Sequence, residues 1–329
     1  DPIAGEHMSL GPLYDLFAHK TTVKVFHAAR QDLEIFFVEG GAFPDPLFDT
    51  QVAAMVCGYG EQVGYETLVK KIAKENIDKS SRFTDWSRRP LSDSQEAYAL
   101  ADVTHLRDVY LSLAAQLEKN KRKQWVEEEL SVLTDPATYT VTPDAAWKRV
   151  KTRTTSGRFL ALVKELARFR EHYAQSNNVP RSRVMKDDAL LELASTQPLN
   201  HDDLGRSRLL LREARRGDIA EGILAAVKSG LEMRADDMPK PDLSHENLQV
   251  NPALADLLRV LLKAKSDSLG VAPKLIANAS ELDAIAAGER DLSSLMGWRA
   301  EAFGDDAMRL CRGEIALSAK GHQVVVVTL

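Results

Sequence analysis

The N-terminal part of the chain combines one strand pattern with several helical patterns. Residues 22–27, Thr-Val-Lys-Val-Phe-His, have the composition of a strand. Residues 32–37 have helical apolar spacing, which we expect to end at the glycine pair that begins at Gly40. Helical spacing returns in residues 49–57 and 65–74. A strand followed by helices predicts an α/β region at the start of a mostly helical protein.

The most regular helical pattern begins at Ser92. Ser92 is a favourable N-cap residue, and Gln95 three positions later completes a capping box. Apolar residues then recur with the helical period to about Leu117. A basic loop, residues 78–90, precedes this predicted helix.

The pattern changes at residues 134–144, which are rich in Thr, Pro and Asp and have no helical period. We interpret them as a linker between a domain at 1–133 and a region that is helical to its end. A second Pro-containing segment, residues 236–244, predicts a hinge. The helical region is thereby divided into domains at 145–235 and 245–329.

The helical region contains an internal repeat at an offset of 92 residues. Eight apolar positions match in one register, and a turn with Pro180 in the first copy corresponds to one with Pro273 in the second. Chance alignment of two leucine-rich helices explains the apolar matches but not the matching turn, so we predict two copies of one small helical domain. The matched pairs are Leu162/Leu254, Leu166/Leu258, Phe169/Leu261, Val179/Val271, Val184/Ile276, Leu190/Leu282, Leu193/Ile285 and Ala194/Ala286.

Composition excludes several classes of protein. With 329 residues, 44% hydrophobic and 28% charged, the chain is typical of globular proteins with two or three domains. Its two cysteines, Cys57 and Cys311, are far apart and favour neither a disulfide framework nor a zinc site. No apolar run is long enough to span a bilayer, and the first residues lack a signal pattern. We expect a protein of the reducing cytoplasm.

The net charge of −5 hides an asymmetry along the chain. Residues 1–144 have 15 Lys+Arg and 23 Asp+Glu, residues 145–231 have 17 and 10, and residues 232–329 have 11 and 15. A basic module beside an acidic one suits an enzyme that uses carboxylates on a polyanion. Taken alone, the asymmetry is better explained as uneven surface charge.

Tyr98 and Asp102 are the residues most indicative of chemistry. Four positions apart on the predicted helix, they share a face that continues through the apolar Leu106 and Val109. A carboxylate on such a face needs a partner, and a metal ion is one partner that keeps it ionised. For these two residues alone, an edge aspartate bonded to an amide or an arginine is the simpler interpretation.

Asp32 favours the metal interpretation. It follows the strand that ends at His27, and strand ends in α/β folds usually present ligands. Carboxylates from two elements can share hard cations such as Mg²⁺. Two such ions about 4 Å apart can stabilise the attacking and departing oxygens at a phosphodiester. Tyr98 could orient or deprotonate the attacking water.

Two segments and the repeat resemble the ribonuclease D family. Residues 24–36, Lys-Val-Phe-His-Ala-Ala-Arg-Gln-Asp-Leu-Glu-Ile-Phe, resemble its second exonuclease motif. Residues 84–103, with Thr-Asp-Trp, Arg-Pro-Leu and Tyr-Ala-Leu-Ala-Asp-Val, resemble its third motif in the branch that carries a tyrosine. The two repeats resemble the helicase-and-ribonuclease-D C-terminal (HRDC) domain, through Phe-Arg-Glu-His at 169–172 and Val-Pro-Arg at 179–181 in the first copy, and Gly-Trp-Arg at 297–299 in the second.

The resemblance implies an α/β ribonuclease-H-like exonuclease domain followed by two all-α helical-bundle domains. It implies a metal-dependent 3′ to 5′ exoribonuclease that releases 5′-mononucleotides, with Asp32 and Asp102 as metal ligands and Tyr98 orienting water. The implied cofactor is a pair of divalent ions, Mg²⁺ or alternatively Mn²⁺. The implied partner is RNA with a single-stranded 3′ end, such as a transfer RNA precursor, bound by a monomer.

One family motif has no match. The first exonuclease motif, Asp-x-Glu on an early strand, supplies two of the family's four carboxylates, and nothing before Thr22 fits it. The chain does not begin with Met, and residues 1–3 resemble a segment that follows this motif, so we expect a missing N-terminal stretch. The alternative is a non-catalytic RNA-binding protein or degenerate paralogue.

Several further residues have two interpretations each. His27 is a candidate substrate contact, and a core histidine bonded to backbone is equally compatible with its position. Arg206, Arg208 and Arg212 belong to the densest basic cluster, which favours phosphate contacts. Asp49, before Thr50, is most simply an N-cap.

Basic and aromatic residues outside that cluster have a structural interpretation that we favour. Lys79, Arg82, Arg88 and Arg89 could bind phosphates, but a solvated loop explains them better. Tryptophans 147 and 298 could stack on bases, but we expect them in helical cores.

Overall fold

The computed structural model describes residues 1, 3, 8–152, 154, 156–240 and 249–329. These residues form two compact units, Asp1–Tyr139 with Leu248–Leu329, and Thr140–Asn247. Residues 241–244 of the predicted hinge lie outside the described residues, as do residues 2 and 4–7 near the start.

The first unit contains a parallel β-α-β arrangement near its start. Strand β1 pairs with β2 in a register that places Lys24 opposite Leu47 and Phe26 opposite Asp49. The connecting helix α2 ends where Gly41 adopts the left-handed conformation (φ 70°), as expected of the glycine pair. The elements are α1 (Gly11–Ala18), β1 (Lys24–Phe26), α2 (Arg30–Gly40) and β2 (Leu47–Asp49).

Four helices complete the N-terminal part of this unit. The predicted capping box is confirmed, because Ser92 accepts from the Gln95 N–H and the Gln95 side chain accepts from the Ser92 N–H. The Gln95 amide also donates to Thr84 Oγ1 over 3.0 Å, which ties the basic loop to the helix. The helices are α3 (Thr50–Val56), α4 (Tyr65–Ile72), α5 (Asp93–Asn120) and α6 (Lys123–Leu133).

The segment 134–144 contains more helix than its pattern indicated. It includes helix α7 (Pro136–Tyr139) and the start of a 3₁₀ helix, Pro143–Arg149. Both begin with proline, which suits the first helical position, and Asp135 accepts from the Ala137 N–H over 2.9 Å. Local capping therefore forms helical turns where hydrophobic periodicity is absent.

The second unit is a helical bundle around a core that includes Leu162, Leu166, Leu190 and Ile223. Its longest helix, α8, packs against α12 and α10. The helices are α8 (Gly157–Ser176), α9 (Arg181–Val184), α10 (Asp187–Thr196), α11 (His201–Gly205) and α12 (Gly217–Glu232), with short 3₁₀ turns at Glu213–Arg215 and Ala235–Asp237.

The helices after residue 251 follow one another in an order similar to that of the helices in the second unit. At the offset of 92 residues, α9 corresponds residue for residue to α14. Later in each copy the offset is 80 residues: Gly217 in the first copy and Gly297 in the second both have a positive φ and begin the last helical segment. The elements are α13 (Pro252–Leu269), α14 (Pro273–Ile276), α15 (Ala279–Ala287), α16 (Gly297–Arg299), a π-helical turn (Ala300–Gly304) and α17 (Asp305–Cys311).

The chain ends in an antiparallel hairpin that our expectation of helix throughout this region did not include. Strand β3 (Ile315–Lys320) pairs with β4 (Gln323–Thr328), and Gly321 in the turn has φ 63°. The run of four valines from Val324 has strong β-propensity. Local preference therefore predicts this hairpin better than the repeat does.

The second copy shares one hydrophobic core with the N-terminal part of the first unit. Leu113 and Val126 belong to the same buried cluster as Leu261 and Phe303. The backbones approach so closely that a Cβ at Gly58 would lie 2.3 Å from the Gly270 carbonyl oxygen. Residues 249–329 are therefore part of the structural support of the N-terminal region. No helix in the described part of the chain is both long and apolar enough to cross a membrane.

Candidate active site

A cavity of about 790 Å³ in the first unit brings together four residues that the sequence indicated. His27, Asp32, Tyr98 and Asp102 all line it. The first two come from the turn after β1 and the first turn of α2, and the other two from α5. The parallel β-α-β geometry explains this, because it places the end of β1 and the start of α2 at one edge of the sheet.

Asp32 lies in the first turn of α2, where the positive end of the helix dipole favours a negative charge. Partial burial, and then the negative charge of Asp49, raise the pKa of the Asp32 carboxyl above its ordinary value. Ionised Asp32 therefore lies in a place where a bound cation is electrostatically favourable.

Tyr98 and Asp102 share the cavity-facing side of α5, as their spacing predicts. Asp102 is half-buried, its carboxylate makes no hydrogen bond or ion pair with any described residue, and burial raises the pKa of this carboxyl. Among the described residues, therefore, no amide or arginine is bonded to this carboxylate as the alternative requires. The Tyr98 ring packs against Trp86, with centroids 5.9 Å apart, and its hydroxyl has no hydrogen-bond partner among the described residues.

Tyr65 is a residue of this cavity that the sequence did not indicate. Its hydroxyl donates to the Ala101 carbonyl over 3.0 Å, which joins the start of α4 to α5. Burial, and then the negative charges of Asp102 and Asp108, raise the pKa of this phenol. A tyrosine at the first position of a short helix carries no sequence signal for this role. The Tyr65 hydroxyl thus has a structural hydrogen bond, whereas the Tyr98 hydroxyl has none with any residue that the structure describes.

His27 lines the cavity and is held by Thr50. Its Nδ1 lies 2.9 Å from the hydroxyl oxygen of Thr50, and its Nε2 is buried near the Val63 carbonyl without a hydrogen bond of normal geometry. Burial lowers the pKa of the imidazole, although Asp49 opposes that effect. His27 is thus held by the Thr50 side chain and lies close to the Val63 backbone, and it also lines the cavity.

The basic loop contributes two residues to the cavity lining, Lys79 and Arg82. Lys79 forms an ion pair with Glu66, and the Arg82 guanidinium lies 5.2 Å from the ring centroid of Phe83. Arg89 is paired with Asp1. These partners fit the interpretation of a structured, solvated loop.

The predicted arginine cluster lies in the second unit and contributes no residue to this cavity. Arg212 lines a cavity of about 820 Å³ together with Arg215 and Arg216. Arg206 and Arg208 are exposed, and Arg206 is paired with Asp203 over 3.4 Å. Arg215 donates to the Leu210 and Gly205 carbonyls and so has a structural role.

The donor set of the cavity in the first unit suits a hard divalent cation only in part. Carboxylate oxygens are the ligands that Mg²⁺ and Mn²⁺ prefer, and Asp32 and Asp102 supply them. The described residues contain no group of three or more His, Cys, Asp or Glu side chains placed to hold a metal ion. The two aspartates are thus a partial ligand set.

Sequence comparison identifies the family. A family model described as 3′-5′ exonuclease matches residues 1–118, and the HRDC domain model matches residues 159–227. Ribonuclease D of Jannaschia sp. (strain CCS1) is 62% identical over 327 residues, which cover 99% of this chain and 84% of that protein. Ribonuclease D of Granulibacter bethesdensis is 46% identical over 330 residues, covering 100% of this chain and 83% of that protein. The chain belongs to the ribonuclease D family.

The solved structures agree with this membership. The crystal structure of Escherichia coli RNase D, an exoribonuclease involved in structured RNA processing, matches with a TM-score of 0.79 and 25% identity, covering 93% of this chain and 83% of that one. The predicted fold class, an exonuclease domain followed by helical domains, is thereby confirmed. So is the predicted activity class, a 3′ to 5′ exoribonuclease. The exonuclease domain of ribonuclease D acts with divalent metal ions.

Proposed function

We propose that this ribonuclease D removes nucleotides one at a time from RNA 3′ ends by two-metal hydrolysis, with transfer RNA precursors as substrates and 5′-mononucleotides as products. The observation that carries the proposal is that Asp32, Tyr98 and Asp102 come from two elements and line one cavity. In this proposal, residues 1–133 are the exonuclease domain. The helical domains at 145–235 and 245–329 complete a monomeric enzyme of the cytoplasm.

Asp32 and Asp102 are assigned as ligands of divalent metal ions, Mg²⁺ or Mn²⁺. Bound there, the ions would supply Lewis-acid stabilisation of the phosphodiester oxygens. Both carboxyls have raised pKa values, which means that their surroundings disfavour the ionised forms. A cation bound between them would favour ionisation. The two aspartates lie on different elements, which lets them bind from two sides of the cavity.

Tyr98 is assigned to the attacking water. Its hydroxyl has no hydrogen-bond partner among the described residues and so is free to accept from or donate to a water molecule. Packing of its ring against Trp86 limits the directions in which the hydroxyl can point. That restriction favours in-line placement of the water.

The second unit is assigned to RNA binding. Arg206, Arg208 and Arg212 lie in the most basic third of the chain, and guanidinium groups suit bidentate phosphate contacts. His27 is assigned to the substrate's 3′-terminal nucleotide, because it lines the cavity with the catalytic residues. This division lets the acidic site act on a polyanion that is held elsewhere.

The test is a cleavage assay with 5′-labelled RNA that has a single-stranded 3′ end. We expect a ladder of progressively shorter products with Mg²⁺, and none with EDTA or with Asp102→Asn. Asp108→Asn is the matched control, because Asp108 lies on the same helix outside the cavity lining and should leave the ladder unchanged. A ladder that persists in EDTA or in Asp102→Asn contradicts the metal assignment.

The second candidate is an RNA-binding protein without catalysis. It is favoured by one observation: the described residues contain no group of three or more His, Cys, Asp or Glu side chains placed to hold a metal ion. An RNA that is retained in a filter-binding assay, but remains uncut with either Mg²⁺ or Mn²⁺, would support this candidate over the nuclease.

A further inference from the structure

Asp49 is a buried carboxylate that serves two helices at once. It is 1% exposed and is the last residue of β2. Its Oδ1 accepts from the backbone N–H of Gln51 over 2.7 Å and of Val52 over 3.4 Å, which confirms the predicted N-cap of α3. The same carboxylate accepts from Ala28 (Oδ1, 3.1 Å) and Ala29 (Oδ2, 2.8 Å).

The second pair of hydrogen bonds belongs to the helix that carries Asp32. Ala29 is the N-cap of α2 and has no side chain that can cap it. Ala28 has φ 58°, an unfavourable conformation for a residue with a Cβ. Such a backbone persists only when its surroundings hold it, and the Asp49 carboxylate bonds both of these N–H groups. Asp49 therefore supplies from another element the cap that α2 lacks.

Thr50 extends this hold to the two preceding residues. Its hydroxyl donates to the Phe26 carbonyl over 3.0 Å and lies 2.9 Å from His27 Nδ1. A hydroxyl has one proton, so the imidazole must donate from Nδ1 to the Thr50 oxygen. Asp49 and Thr50 together bond four consecutive residues, from the last residue of β1 to the N-cap of α2, and we call Asp49 and Thr50 the turn clamp.

We propose that Asp49 is a positioning residue of the nuclease, acting through the backbone of Ala28 and Ala29 to set where Asp32 presents its carboxylate. The inference rests on the proposed function, in which Asp32 is a metal ligand. Asp32 follows Ala29 by three residues, and the Leu33 N–H bonds the Ala29 carbonyl over 2.8 Å, so the first turn of α2 moves with the turn before it. Displacements of about 1 Å are enough to cost roughly 100-fold in rate.

The two oxygens of Asp49 have different partners, so one substitution can disturb the bond to Ala29 and keep the cap of α3. In Asp49→Asn, the retained oxygen can keep the α3 cap and the bond from Ala28, while the new amide group faces the Ala29 N–H. Two donors then oppose each other where Oδ2 had accepted. The variant is expected to loosen α2 without uncapping α3.

The experiment compares Mn²⁺ binding to the free protein, measured by EPR, with kcat and KM on single-stranded RNA. We expect Asp49→Asn to weaken Mn²⁺ binding and lower kcat by about 10- to 100-fold each, with KM little changed. Asn251→Ala is the matched control, because Asn251 caps α13 by accepting from Leu254. It should lower the melting temperature but leave Mn²⁺ binding and kcat at wild-type values.

A second pair of variants covers the case in which Asp49→Asn does not fold. Thr50→Val removes the hydroxyl at constant shape and should lower kcat and Mn²⁺ affinity, whereas Thr50→Ser should restore both. Wild-type Mn²⁺ affinity and kcat in Asp49→Asn, or in Thr50→Val, would overturn the positioning role alone. A wild-type protein that neither binds Mn²⁺ nor cleaves RNA overturns the proposed function and this inference together.

Discussion

The indole of Trp125 stacks on the indole of Trp298, with ring centroids 4.4 Å apart and planes 17° from parallel. Around this pair, the Trp298 Nε1–H donates to Glu129 over 2.9 Å, and Arg299 is paired with the same carboxylate. Trp298 is 1% exposed, so it is a core residue as expected from the sequence. The pair joins α6 to the second helical copy.

Replacing Trp298 with alanine should therefore destabilise the first unit. The loss of a buried indole and the cavity it leaves should lower the free energy of unfolding by about 3–5 kcal/mol. Trp298→Phe, which keeps an aromatic ring beside Trp125, should cost less. Urea denaturation of both variants measures the difference. A decrease below about 1 kcal/mol in the alanine variant is incompatible with the packing described.

Replacing Tyr98 with phenylalanine should impair catalysis without weakening substrate binding. The hydroxyl has no structural hydrogen bond to any described residue, so the folded variant should be as stable as the wild type. We expect kcat to fall by about 100-fold with KM unchanged, as is typical when a group that transfers or orients a proton is removed. Tyr110→Phe is the control on the same helix, since Tyr110 packs on Phe48 outside this cavity. Equal kcat in both variants would contradict the assignment.

Glu192 should make the loop that carries Arg208 sensitive to acid. Burial alone would raise the pKa of Glu192, but the Ser207 hydroxyl and the N–H groups of Arg208 and Leu209 bond its carboxylate and hold the pKa below its ordinary value of 4.5. A depressed folded pKa stabilises the loop above pH 4.5, and the stabilisation disappears as pH falls through the folded value.

Hydrogen exchange of residues 205–212 measures this effect. Amide exchange, corrected for its intrinsic pH dependence, should be slower in the wild type than in Glu192→Gln at about pH 7, and the two should converge as the pH falls through the lowered pKa of Glu192. A difference that persists in acid would show that ionisation of Glu192 is not its source.

Replacing the arginines of the cluster with neutral residues should weaken RNA binding, because fewer phosphate charges are then neutralised by the protein. Replacing Arg206, Arg208 and Arg212 with glutamine should reduce the slope of log affinity against log salt by roughly 0.7 for each single-strand phosphate that is no longer neutralised. Arg259→Gln is the control, because Arg259 is engaged with Asp256 and Asp283 in the first unit. Unchanged salt slopes in the single variants would exclude these arginines from the RNA interface.

Features that depend on neighbours in sequence could be predicted, and those that depend on distant residues could not. The capping box of Ser92 and Gln95 is a local pattern, and the structure contains it. The N-cap role of Asp49 was equally local, but its bonds to Ala28 and Ala29 cross about 20 residues and leave no spacing signal. The hydrogen bond from the Tyr65 hydroxyl to the Ala101 carbonyl joins residues 36 positions apart, so it too leaves no spacing signal.

In the candidate site, too, local features could be predicted and features set by distant residues could not. The helical spacing of Tyr98 and Asp102 placed them on one face, and strand-end logic placed Asp32 near them. Nothing in the sequence showed that Asp102 has no hydrogen-bond or ion-pair partner among the described residues, because this depends on which side chains α2 and α4 bring near it. The expectation of helix did not include the hairpin from Ile315 to Thr328, although its run of valines favours a strand.

The first unit is discontinuous in sequence, because residues 1–139 share their core with residues 249–329. During synthesis, the chain segment that carries Trp125 leaves the ribosome well before its partner Trp298, with the whole second unit translated in between. At about 5–20 residues per second, the nuclease region waits roughly 9 to 35 seconds with that surface uncovered. Completion of the first unit therefore depends on the synthesis of residues 249–329, and a nascent chain arrested after the second unit would be prone to aggregation.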